Sequence, residues 1–196
     1  MTDRNVLKPN HRLLIVYGTA EGHTRDIATH VAQTARAEGT VVEVVEAASA
    51  TTLLTDAAWD AVLVGASVHQ EQHQTSVTDF VRANLSLLER LPSAFFSVSL
   101  SAAVNDPHHQ NEAQRYIETF LERTNWHPLS TASFAGALRH AEYDYFKRLV
   151  LDLLAYQLGG GTVSQKDVVY TDWNAVDAFV REFLAKAFAI TEPFEA

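Results

Sequence analysis

Four strand-like apolar runs recur along this chain, with helical stripes between them. Leu13-Leu14-Ile15-Val16-Tyr17 is the first and ends at Gly18; Val41–Val45, Ala61–Ala66 and Ala94–Leu100 follow. A strand with one wet face alternates apolar and polar residues. A run without that alternation marks a strand covered on both faces, as in a parallel sheet. Ser133–Leu138 reads as a weaker fifth strand. Val168-Val169-Tyr170 reads as a short edge piece or that strand resumed. Ile27, Val31 and Ala35 recur at helical spacing before Gly39. Val77, Phe80, Val81, Leu85 and Leu88 form a second stripe, closed by Pro92, and Ala113, Tyr116, Ile117, Phe120 and Leu121 a third. Val176, Phe179, Val180, Phe183, Leu184 and Ala187 form the last, with Asp172 or Asn174 as its cap.

Strands alternating with helices imply right-handed βαβ units and a three-layer α/β sandwich. No repeat or Pro/Ser-rich linker interrupts the pattern, so one domain is expected over residues 1–196, its core about 12–188. Zero Cys excludes a disulfide scaffold, a thiolate metal site and cysteine catalysis. With 15 Lys+Arg against 24 Asp+Glu the net charge is −9, which argues against a nucleic-acid partner. The N-terminal segment has no apolar core of a signal peptide, and no run nears the ~20 apolar residues of a span. A cytoplasmic protein is expected, at most peripheral at the cytoplasmic face of a membrane.

One further helix is expected over 143–158, ended by Gly159-Gly160-Gly161. Phe146, Leu149, Val150, Leu153 and Leu154 form its apolar face, at i, i+3, i+4, i+7 and i+8. That face packs on its own protein or a homodimer partner, or rests on a lipid surface; the first is favoured, because its polar face mixes Lys147 and Arg148 with Asp152.

The chemistry concentrates after the first strand, in Gly18-Thr19-Ala20-Glu21-Gly22-His23-Thr24, which runs into a helix. Backbone N–H groups in such a turn form an anion nest, and the helix N-terminus adds a positive dipole end. Thr19 and Thr24 add hydroxyl donors, and Gly22 permits an unusual dihedral. Neither a Walker Lys nor a G-x-G-x-x-G triplet is present, which points away from a nucleoside triphosphate or dinucleotide. A phosphate monoester suits the loop; an ordinary polar turn with Thr24 near the N-cap remains the alternative.

The spacing of Thr19, Gly22 and Thr24 resembles the FMN-phosphate loop of flavodoxins, with Glu21 where many carry Thr. Gly65-Ala66-Ser67 and Ser97-Val98-Ser99-Leu100 extend that resemblance. It implies five parallel strands in the order 2-1-3-4-5, to which the 143–158 helix is an insertion near strand five. It also implies FMN held by Thr19, Ala20, Glu21, Gly22, His23 and Thr24, with Ala66, Ser67, Val68 and His69, and with Ser99, Leu100, Ser101 and Ala102. Pro92–Leu100, Ala135–Arg139 and Val168–Trp173 are similar to a narrower branch, the quinone-dependent protoporphyrinogen IX dehydrogenases of haem biosynthesis. That resemblance implies an FMN oxidoreductase taking hydrogens from a porphyrinogen and passing electrons to a quinone. The flavin supplies the redox chemistry, so no catalytic residue is named. The alternative is a flavodoxin-type electron carrier with no substrate of its own.

Two loops depart from the branch. Val68-His69-Gln70-Glu71-Gln72-His73 stands where the branch has Tyr and an extra Gly. Ser101–His109 lacks the basic residues suited to porphyrinogen propionates. Neither Ser67–Thr75 nor Ser101–Gln110 contains an aromatic residue beyond His, so at least one flavin face is expected to be open. His69, His73, His108 and His109 are weighed as flavin-edge donors against solvated loop residues, with no metal site expected. His108 and Arg139 are candidate contacts for an anionic substrate, although Arg139 could equally pair with Glu142 or Asp144.

Overall fold

The computed structural model describes residues 11–50, 59–138 and 168–189. Arg139 and the helix expected over 143–158 lie outside these residues, and with that helix the dimer or membrane contact it would make. Strand β1 (Arg12–Gly18) leads through helix α1 (His23–Ala37) to β2 (Val41–Glu46). Strand β3 (Ala61–His69) turns back as β4 (Gln72–His73) before α2 (Thr75–Ala83) and α3 (Leu85–Leu88). Strand β5 (Ser93–Ser99), helix α4 (Pro107–Thr124) and β6 (Ser130–Ala135) follow, then β7 (Ala137–Leu138), β8 (Val168–Val169) and α5 (Trp173–Ala189).

The sheet order is β2-β1-β3-β5-β6, every pair on that path parallel. Without β4, which pairs antiparallel with β3, this is the expected 2-1-3-4-5 order; β4 adds a sixth strand. The reason for the non-alternating runs is visible in β1. Leu13 and Ile15 join Val31, Ala35, Val180 and Phe183 of α1 and α5 on one face. Leu14 and Val16 join Phe80, Val81 and Phe120 of α2 and α4 on the other. Gly65 is required by this packing, since a Cβ there would lie 2.0 Å from Cζ of Phe96. Among the described residues no helix is long and apolar enough to cross a membrane.

The structure corrects several expected boundaries. The stripe from Val77 to Leu88 is two helices, broken at Asn84, whose Nδ2 donates to the Phe80 carbonyl at 2.8 Å. Helix α4 begins at Pro107, because Asp106 caps it by accepting from the His108 and His109 N–H groups. His108 and His109 therefore sit in a helical first turn, not in a loop. The run Ser133–Leu138 is split at Gly136, and Ala137-Leu138 pairs antiparallel with Val168-Val169 in a separate ladder. Asp172, not Asn174, caps α5, accepting from the Asn174 and Ala175 N–H groups at 2.9 and 3.2 Å. The segment after the third strand is a hairpin whose two turn residues, Gln70 and Glu71, have φ of 51° and 61°.

Candidate functional site

The carboxyl ends of β1, β3 and β5 open into one cavity. It is lined by Thr19, Ala20, Glu21, His23 and Thr24, by Ser67, Val68 and His69, by Val98, Ser99 and Leu100, and by Gly136 and Ala137. Ligands of open α/β sheets sit at this edge, where the chain leaves neighbouring strands in opposite directions.

The β1–α1 turn is built for an anion. Gly22 takes φ 88°, a left-handed conformation that suits glycine, and no side chain caps α1. Its N–H donates to Thr19 Oγ1 at 2.8 Å. The first N–H groups of a helix point out of its start with no helical carbonyl to bond, here toward the turn. Thr24 is 1% exposed, and its Oγ1 finds no hydrogen-bond partner among the described residues. A buried hydroxyl left unpaired costs about 1–3 kcal/mol. A bound oxyanion would remove that cost and complete the amide nest. These residues fit a phosphate group.

The remaining residues are tied to that turn. Ser67 Oγ accepts from the Ala20 N–H at 3.3 Å, coupling the end of β3 to the loop. His23 is buried, and its Nε2 lies 2.7 Å from Thr171 Oγ1. The Thr171 hydroxyl donates to the Ala135 carbonyl at 2.7 Å, so Nε2 carries the proton and His23 donates. His23 thus anchors the loop to the end of β6 and the start of α5.

Ten of the fourteen residues expected around the cofactor line the cavity. Gly22, Ala66, Ser101 and Ala102 do not. Gly22 shapes the turn, and Ala66 is buried in the sheet. Ser101 turns away, its Oγ donating to Glu112 Oε2 of α4 at 2.6 Å. The Ala102 N–H is spent on Ser99 Oγ at 3.3 Å. Val98, Gly136 and Ala137 line the cavity without having been singled out as contacts; their place at the ends of β5 and β6 was the available signal. Among the described residues, no Trp, Tyr or Phe lines the cavity.

The four loop histidines do not converge. His69 lines the cavity, whereas His73 points into the core beneath the hairpin. His73 Nε2 lies 2.9 Å from Ser97 Oγ, and its ring stands edge-on to Phe95 and Phe120. Burial pushes its pKa down to about 4. His108 and His109 lie beside Asp106, and His109 Nδ1 bonds the Asp106 carboxylate. That bond, with the two backbone amides, holds Asp106 below the usual carboxylate range. One ligand atom from each of these three residues lies within 4.8 Å of the others. They surround the positive end of a helix, which opposes a cation. His108 is not among the cavity residues.

An uncapped anion turn at the carboxyl edge of a parallel sheet ordered in this way is the arrangement of a flavodoxin-like protein. A family described as Flavodoxin domain matches residues 14–165. A protoporphyrinogen IX dehydrogenase (quinone) of Leishmania major is 34% identical over 185 residues, covering 91% of this chain and 77% of that protein. One of Escherichia coli K12 is 32% identical over 174 residues, covering 87% and 93%. A short-chain flavodoxin associated with a bacterial microcompartment superposes with a TM-score of 0.52 over 91% of this chain and 99% of that one; at 11% identity it speaks for the fold alone. The chain belongs to the flavodoxin domain family, as an oxidoreductase of the protoporphyrinogen IX dehydrogenase (quinone) branch.

Proposed function

We propose that this cavity binds FMN, its phosphate held by the Thr19–Thr24 turn, and that the chain oxidises protoporphyrinogen IX with a quinone as acceptor. A flavodoxin domain implies a flavin. The single observation that favours FMN is the buried, unpaired Thr24 hydroxyl at an uncapped helix start. It serves one phosphate monoester, with the Thr19 hydroxyl and the first-turn amides beside it. The two relatives' names supply the substrate and acceptor.

When bound, the flavin supplies the electron transfer. The protein's part is to hold it. Thr19, Thr24 and the amides of His23–Arg25 bind the phosphate, and His23 keeps the turn in place through Thr171. Ser67, His69 and Ser99 are the polar groups around the rest of the cofactor.

Thr24→Val tests the phosphate site. A hydrogen bond to a charged group contributes about 1.5–3 kcal/mol, so FMN affinity should fall roughly ten- to 150-fold. Riboflavin, which lacks the phosphate, should bind both forms alike. Equal FMN affinity by fluorescence titration would refute the assignment. For the reaction, the FMN-loaded protein should consume protoporphyrinogen with a menaquinone analogue faster than an enzyme-free control. If it does not, while a flavin reductase readily reduces it, the protein is an electron carrier.

A further inference from the structure

We propose that Gln74 is a positioning residue for the cofactor cavity: it fixes Ser67 as a hydrogen-bond donor to the bound flavin. The inference rests on that cavity holding a flavin. Gln74 is not itself a cavity residue. It is the last residue before α2, and its carbonyl accepts from the Val77 and Thr78 N–H groups at 3.1 and 3.2 Å. Its backbone is therefore fixed by the helix start.

From there the side chain reaches under both halves of the site. Its Nε2 donates to Ser67 Oγ, at the end of β3. Its Oε1 lies over Gly18, where a Cβ would come within 3.3 Å of it. Gly18 is the residue from which the anion turn departs; a Cβ there would come within 2.3 Å of Val77 Cγ2, so the Gln74 amide lies beside a position already kept bare by α2.

The consequence follows from counting at Ser67. A serine hydroxyl has one proton and two lone pairs. Ser67 Oγ accepts from Gln74 Nε2 and from the Ala20 N–H. Both lone pairs are then engaged, and what remains is the proton. Ser67 lines the cavity, so it offers a ligand a donor and no acceptor. A flavin ring presents carbonyl oxygens and bare ring nitrogens, which are acceptors. The reversed amide would exchange one unpaired atom for another: Gln74 Oε1 is buried without a partner, and turning the amide would bury an unpaired NH₂ there. An orphaned N–H is the rarer of the two in folded proteins.

A double-mutant cycle reads this coupling. Ser67→Ala should weaken FMN binding roughly two- to twelve-fold, the value of one neutral hydrogen bond. Gln74→Glu places an acceptor where the donor was, so the Ser67 proton turns to the carboxylate and away from the ligand. It should cost about as much as Ser67→Ala, and cost nothing further when added to it. Both variants should show the same displacement of the bound flavin's visible absorption maximum from wild type. Thermal unfolding of the apoproteins checks the fold. If Gln74→Glu does not fold, Gln74→Met takes its place; it frees the Ser67 rotor, and its smaller loss should likewise vanish in the Ser67→Ala background. Additive losses would show that Gln74 acts only as packing and overturn the proposal while leaving flavin binding intact. A wild-type protein that binds no FMN would overturn both.

Discussion

The buried imidazole of His73 makes stability depend on pH in a calculable way. In the folded chain its pKa is about 4; in the unfolded chain it returns to ~6.5. Above pH ~6.5 both states hold it neutral, and its burial carries no penalty. Between pH ~6.5 and 4 the unfolded chain binds a proton that the folded chain refuses, so stability is lost as pH falls. Below pH 4 the loss stops growing. The slope is at most ~1.4 kcal/mol per pH unit, which sums to at most about 3 kcal/mol. Other carboxylates and histidines titrate across the same range, so the absolute curve does not isolate His73. A comparison with His73→Gln does, because Gln keeps a partner for Ser97 Oγ and does not titrate. Urea unfolding followed by Trp fluorescence, at half-unit steps from pH 4 to 8, gives both curves. Trp126 is buried beside Phe95, 5.8 Å between centroids, and reports on this region. The variant should be less stable at pH 8 and should close the gap, or pass the wild type, by pH 4. Parallel curves would refute the neutral buried histidine.

Three other outcomes follow from packing and caps. Gly65→Ala drives a methyl into the Phe96 ring; it should cost about 1–3 kcal/mol or more in urea unfolding, and Phe96→Leu should recover part of the loss. Asp172→Ala removes the acceptor for the Asn174 and Ala175 N–H groups; about 1 kcal/mol should go, seen as a fall of roughly 2–4 °C in Tm. Thr171→Val leaves both the His23 donor and the Ala135 carbonyl unpaired at a buried position. It should cost about 1–3 kcal/mol and weaken FMN binding as well, while Thr171→Ser should restore both.

The parallel core was legible because burial on both faces leaves a one-dimensional trace. Leu13 to Val16 are all apolar, since alternate residues enter opposite cores. The anion turn was legible for a similar reason: Thr19, Gly22 and Thr24 act within one local stretch. The fifth strand was misplaced because β6 lies at the sheet edge, where Ser130, Thr131 and Ser133 are polar and not fully buried. The start of α4 was written in Asp106-Pro107, yet the helix shows no apolar period until Ala113. Asn84 breaks a stripe whose spacing continues through it, because its side chain takes a carbonyl of the preceding turn.

The β3–β4 hairpin is a different kind of failure. Tight two-residue turns favour Asn-Gly because both positions need φ above zero. Here Gln70 and Glu71 occupy them, at about 1–2 kcal/mol each. What holds the turn is His73, one residue past the turn's first partner, set against Phe95 and Phe120 and bonded to Ser97, 24 residues along the chain. The same hairpin carries Val68 and His69 to the cavity on its other strand. Strain of this sort persists where tertiary contacts over-determine the backbone, and it gathers at functional edges. The turn is therefore encoded in the core residues that bury His73, and a reading confined to residues 68–73 could not have found it.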